Sequence, residues 1–193
     1  CDWFDGGRYH VAVNDRGHQA LDRLRRGLQA MGIRHRDVHS RELAERLGTT
    51  LYTDGFRVDG GALVNPAKLV RGIAQALPDS VWVAEDVPIS GLELGTTHRL
   101  RSGEHTIQTP RLVLASNGFL PAMGVQRGRV LPFVTYASIT EPLPTTPGSE
   151  PEWGVVPEEK MGATVRLTRD NRLVIRNGVR YRSKPRLDAA MCS

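Results

Sequence analysis

Four small residues in a row, Ala115-Ser116-Asn117-Gly118, follow the apolar run Leu112-Val113-Leu114. Small side chains let a backbone come close to a flat ligand, and glycine at position 118 can take positive φ. Upstream stand Asn65-Pro66-Ala67-Lys68-Leu69-Val70 and Glu85-Asp86-Val87-Pro88-Ile89. The three segments spell a helix, a strand leading into a small sheet, and a buried strand ending in a small-residue loop. That is the order of the second half of a nucleotide-binding α/β unit. The half with a glycine-rich phosphate loop has no counterpart: Gly6-Gly7 and Gly60-Gly61 read as turns, since neither follows a buried strand and opens a helix.

Other chemistries find less support. Of the 6 histidines, His35 and His39 are four apart, but in a segment where a turn interrupts the helix and no third ligand is near. No metal site is expected. Neither a Ser/His/Asp arrangement nor a carboxylate pair stands out, so no residue is singled out as catalytic.

The elements that must position these residues follow from periodicity and turn chemistry. Arg8 to Val13 alternates as a strand, and Asn14-Asp15-Arg16-Gly17 turns the chain. Leu21, Leu24, Leu28 and Met31 fall at helical spacing and predict an amphipathic helix over 18–31, closed by Gly32. Ser40 is the expected N-cap of a second helix over 41–47, which Gly48 closes. A strand is expected over 50–57 and a turn at Asp59-Gly60-Gly61. Asn65 caps a third helix whose first position is Pro66, with Leu69, Val70, Ile73, Ala74 and Leu77 as its buried stripe. Val81 to Val83 reads as a short strand, 89–94, 97–101 and 105–108 as an antiparallel meander, and 112–115 as a strand buried on both faces. Strands at 129–131 and 133–140, a proline-rich loop over 142–151 and a hairpin of 164–168 with 172–175 complete the pattern; Asn171 suits the left-handed position of its turn.

The chain has 193 residues and a net charge of +5, with Lys only at 68, 160 and 184 and Arg supplying the rest. Arg residues cluster at 23, 25 and 26 and again at 176, 180, 182 and 186, without the interleaved aromatics of a single-strand binding surface. A nucleic-acid partner is therefore not expected. No apolar run is long enough to cross a bilayer. The two cysteines, Cys1 and Cys192, form no disulfide framework, and a cytoplasmic location is expected. The chain opens at Cys1 with neither Met nor a signal-peptide pattern, which reads as a cut inside a longer protein.

From Pro66 to Gly118 the order of elements resembles the later part of the FAD domain in the D-amino acid oxidase superfamily, the group of glycine oxidase, sarcosine oxidase and the gamma-glutamylputrescine oxidases. The likeness rests on Asn65-Pro66-Ala67-Lys68-Leu69, Glu85-Asp86-Val87-Pro88-Ile89, Leu114-Ala115-Ser116-Asn117-Gly118 and Thr140-Glu141-Pro142-Leu143, and runs from Gly7 to about Tyr181. It implies a mixed α/β chain: part of an FAD-binding, Rossmann-like domain with a three-stranded meander, and an antiparallel-sheet substrate domain. The implied boundaries are 1–62 and 124–182 for the substrate domain, 63–123 for the FAD domain and 183–193 for a tail.

The resemblance also implies roles. Ile89 stands where the family meets the adenine ring with backbone amide and carbonyl; the other reading is a plain core strand residue. Ala115, Ser116, Asn117 and Gly118 match the loop that passes close to FAD. Tyr136, in Phe133-Val134-Thr135-Tyr136-Ala137, is placed at the amine pocket. Arg166 matches a basic residue near the active site, where a guanidinium grips a substrate carboxylate bidentately; a solvated strand Arg is its other reading. The implied reaction is oxidation of the C–N bond of an amine or amino acid to an imine, with the cofactor carrying the redox chemistry.

The sequence also departs from the family. The GxGxxG unit, the ribose-binding acidic residue and the C-terminal glycine-rich segment are missing, so the chain alone is expected to bind FAD weakly and to be inactive. Arg176-Asn177-Gly178 places a charge where relatives continue with glycine. Two rival readings stay open: an FAD-linked dehydrogenase of a hydroxy compound, differing at Tyr136 and Arg166, and a non-enzymatic basic module that binds nucleic acid in a salt-sensitive way.

Overall fold

The structure is a computed structural model that describes residues 1–159 and 162–181. The chain separates into two compact units, one of Cys1–Leu77 with Thr135–Gly178, the other of Pro78–Val134 with the described residues from 179 on.

In the first unit, β1 (Tyr9–Ala12), β2 (His35–His39), β3 (Asp54–Val58), β8 (Trp153–Pro157), β9 (Thr164–Leu167) and most of β10 (Leu173–Tyr181) and β7 (Phe133–Ile139) build a seven-stranded sheet of order β2-β3-β1-β8-β9-β10-β7. It is not purely antiparallel. β1 runs parallel to β8, Tyr9 facing Val155, while β1–β3, β2–β3, β8–β9 and β9–β10 are antiparallel. α1 (Asp15–Ala30) buries Leu21 and Leu28 with Ala12 and Phe56, and α2 (Ser40–Leu47) buries Leu43 and Leu47 with Tyr9, Val11, Val38 and Trp153. Alternate β1 residues thus feed two cores, as a strand with period two must.

The caps explain the helix limits. α1 begins earlier than its apolar spacing suggests, because Asn14 Oδ1 accepts the Gly17 N–H and turns the expected loop into a first turn. Ser40 is not the N-cap of α2: His39 holds that position without a side-chain bond, and Ser40 is already helical. Gly48, at φ 71, closes α2 in the left-handed conformation. Asn65 Oδ1 caps α3 (Pro66–Gln75) through the Lys68 N–H, with Pro66 in the first turn. The expected buried stripe of α3 lies open, with none of its residues buried and Val70 65% exposed.

In the second unit, β4 (Gly91–Glu93), β5 (His98–Ser102) and β6 (His105–Thr109) form the expected three-stranded antiparallel meander. The expected strands over 81–83, 112–115 and 129–131 do not form. A strand buried on both faces requires neighbours on both edges, and the described residues offer these segments none. Asn117–Met123 is a 3-10 helix instead of an open loop. Strands β2 and β8 were not expected, whereas the β9–β10 hairpin turns as expected on Asn171 at φ 59. The Arg-rich tail beyond Tyr181, with Arg182, Arg186 and Cys192, lies outside the described residues, as does Lys160.

Candidate functional site

Within the second unit, two of the sequence-predicted residues meet. Ile89 and Ser116 line one open cavity of about 560 Å³ together with Gly91, Phe119, Met123 and Arg127. Ile89 sits just before β4, half-buried, where Ser90 N–H donates to Arg101 O and starts the meander ladder. Its own N–H and C=O make no backbone hydrogen bond among the described residues. That leaves a donor beside an acceptor, the pattern a heteroaromatic edge pairs with. Ser116 closes the other wall, where its carbonyl accepts the Phe119 N–H at 2.9 Å and begins the 3-10 turn. The lining mixes small residues (Ser90, Gly91, Ala122, Gly124) with Leu92, the Phe119 ring and the Arg127 side chain.

Ala115, Asn117 and Gly118 flank this wall without lining the cavity. The left-handed residue is Asn117, at φ 46, and not Gly118. Asn tolerates that conformation through local side-chain hydrogen bonding, so glycine is not needed. A Cβ at Gly118 would make only ordinary contact with Pro132, 3.8 Å away.

Tyr136 and Arg166 lie in the first unit. Tyr136 is on β7 and half-buried, beside Gly178 of β10. Arg166 is on β9, separated from β7 by β10, and pairs with Val174, whereas Tyr136 lies beside Gly178, four positions farther along β10. Arg166 is not a solvated surface side chain. It donates through Nη1 to Val64 O, its Nη2 lies 4.0 Å from Glu152 Oε2, and its buried Nε has no partner among the described residues. Glu152 is itself buried and also receives Arg169 Nε at 2.8 Å.

Reasoning from sequence missed a third feature. His10 Nδ1 lies 2.5 Å from Glu158 Oε1, its ring stacks on Phe56 at 5.0 Å, and it lines an apolar pocket of about 340 Å³ under α1. Arg8 Nε donates to His10 Nε2 at 3.3 Å, so both ring nitrogens are occupied and the imidazole is held in place. The partners lie 148 positions apart, which local pattern cannot show. No group of three metal-ligating side chains occurs among the described residues, and no helix among them is long and apolar enough to cross a membrane.

A family model described as "DAO: FAD dependent oxidoreductase" matches residues 1–191. Among solved structures, glycine oxidase from Geobacillus kaustophilus is similar at TM-score 0.74 and 17% identity, over 97% of this chain and 51% of that one. L-proline dehydrogenase from P. horikoshii is similar at TM-score 0.68 and 14% identity, over 96% and 53%. NikD, described as an unusual amino acid oxidase essential for nikkomycin biosynthesis, is similar at TM-score 0.63 and 13% identity, over 93% and 50%. The chain therefore spans about half the length of these structures, and the likeness shows their fold. No curated protein sequence matches it.

Proposed function

We propose, from the premise that this chain belongs to the DAO family of FAD-dependent oxidoreductases, that it serves the oxidation of a C–N bond in an amine or amino acid to an imine. The observation that carries the reading is the family match over nearly the whole chain. Ile89 and Ser116, expected at the cofactor from the sequence, also line one cavity. The amine side is supported by the three similar structures, each described by a name that refers to an amino acid or its oxidation.

The residues present fit FAD in part. The backbone of Ile89, unpaired among the described residues, would hold the adenine edge, and the segment Ala115, Ser116, Asn117 and Gly118 would let the cofactor approach the chain closely. The helix N-terminus that holds a pyrophosphate is not among these residues, so cofactor affinity of this chain alone is expected to be weak. Bound FAD supplies the two-electron acceptor. The protein then has to orient the substrate, which we assign to Arg166 for a carboxylate and Tyr136 for the amine pocket. On this reading residues 63–123 belong to the FAD-binding domain and 1–62 with 124–182 to the substrate domain, with the reaction in the cytoplasm and no nucleic acid involved.

The test is anaerobic bleaching of the flavin band in the complete gene product, with a panel of amines, amino acids and 2-hydroxy acids. Bleaching by an amine or amino acid, with the imine hydrolysed to a carbonyl product, is expected. Bleaching by hydroxy acids alone overturns the assignment.

A further inference from the structure

We infer that β7 is the edge at which two copies of this protein pair, antiparallel about a twofold axis, so that one continuous sheet runs through both. β7 (Phe133–Ile139) closes one side of the seven-stranded sheet, with β10 as its one neighbour among the described residues. At about 3.3 Å per residue it offers an edge of roughly 23 Å. Thr140 N–H donates to Leu173 O, next to β7 on the β10 side, at 3.0 Å. Alternation along the strand then turns the N–H groups of Val134, Tyr136 and Ser138 toward β10 and those of Phe133, Thr135, Ala137 and Ile139 outward, where no described strand takes them.

The two edges of this sheet are built differently. β2, on the far side, is 5 residues long and carries Arg36 and Asp37, the short and charged form in which an edge resists a further strand. β7 lacks such protection: its 7 residues include no charge, proline or glycine, and none of them takes positive φ. Ala137 and Ser138 are exposed, and so are the large apolar side chains at its two ends, Phe133 at 60% and Ile139 at 61%. An uncharged edge of this length is a template for another strand.

The strand that fits is β7 itself. Laid antiparallel with Tyr136 opposite Tyr136 of the second copy, Phe133 meets Ile139 and Thr135 meets Ala137, each twice by symmetry. These are the residues whose N–H groups point outward, so they form the hydrogen-bonded pairs, and the two exposed apolar ends lie against each other on one face. Tyr136, whose N–H serves β10, falls on the axis as a non-hydrogen-bonded pair, as its place in the strand requires. Charge sets the direction. Arg127 and Arg129 precede the strand, and Glu141, 3.6 Å from Arg172 Nη1 but with its side chain 94% exposed, follows it. An antiparallel twin brings the basic flank of one copy toward the acidic flank of the other at both ends, whereas a parallel twin sets like beside like.

The experiment is sedimentation equilibrium with amide hydrogen exchange on the complete gene product. A dimer is expected, in which the Thr135, Ala137 and Ile139 amides exchange at least about tenfold more slowly than after dilution to monomer. Ala137→Pro removes an outward donor and spares the β10 ladder, so it is expected to weaken the dimer at least about a hundredfold with an unchanged circular dichroism spectrum. Thr135→Lys combined with Ala137→Lys sets like charges directly opposite each other across the axis and is expected to do the same without altering the backbone. A monomer at every concentration, a dimer indifferent to both variants, or open-ended assemblies in place of a closed pair overturns the inference. Slow exchange of the three amides in a monomer overturns it as well, since another part of the same chain then covers the edge.

Discussion

Tyr9 is wholly buried, and its hydroxyl donates to Glu150 Oε1 at 2.6 Å, a carboxylate that also receives Arg46 Nη1. Burial, with the carboxylate added, pushes the phenol up to about 12. Its folded value lies above the unfolded one of about 10, so the stability it contributes is complete below about pH 10 and is lost as pH rises through about 12. Titration followed by phenolate absorbance is expected to find a tyrosine that resists ionisation until about pH 12, and Tyr9→Phe is expected to remove that step. The same variant leaves Arg46 on Glu150 and is expected to cost about 1 kcal/mol in urea unfolding. An unchanged alkaline profile in the variant excludes Tyr9 as the group. Arg25 makes the same point for a fork of charges. Its guanidinium reaches Asp22, Asp37 and Asp54 at 2.9–3.0 Å and lies over Phe56 at 5.4 Å, joining α1 to β2 and β3. Arg25→Lys keeps the charge and loses the planar fork, with an expected loss of about 1–2 kcal/mol in the same assay.

At the scale of elements, the C-terminus of α2 is completed by a distant loop. Ser149 N–H donates to Glu45 O and Glu150 N–H to Arg46 O, which satisfies carbonyls that the helix leaves open. Gly148 makes this approach at φ 75, and a Cβ there would run into the Arg46 carbonyl. Gly148→Ala is therefore expected to cost about 3 kcal/mol or more, whereas Gly27→Ala, inside α1 where a Cβ meets nothing within 4 Å, is expected to gain about 0.5–1 kcal/mol. Thermal unfolding of both variants is the check. Much at this scale was legible, because Gly48, Asn65-Pro66 and Asn171 carry local backbone chemistry. β2, reading His35-Arg36-Asp37-Val38-His39, was not, since it has a single buried side chain and is defined by β3. β8 was missed because its parallel pairing with β1 joins residues about 145 positions apart. The candidate site divides the same way. Ile89 and Ser116 follow from segment order, whereas His10 meets Glu158 only through the pairing of β1 with β8.

For the molecule as a whole, apolar surface lies open in both units. Val70 and Ile73 of α3 are exposed in the first, and Trp82 and Val113, at 94% and 89% exposure, in the second. The backbone around Trp82 and Val113 makes no ladder among the described residues. Sequence alone read Val70 and Ile73 as a buried helical stripe, Val113 as part of a buried strand and Trp82 as part of a short strand, and pattern does not say what supplies the other wall. The chain spans about half of each similar structure. Exposed apolar patches of this kind drive association and bind hydrophobic dyes. The purified chain is expected to enhance ANS fluorescence and to self-associate as its concentration rises. Val70→Glu with Ile73→Glu removes apolar surface that touches little, so stability is expected to change by no more than about 0.5 kcal/mol while dye binding falls. A fall of several kcal/mol in the double variant instead means that α3 packs its stripe against protein in solution and has no open apolar face.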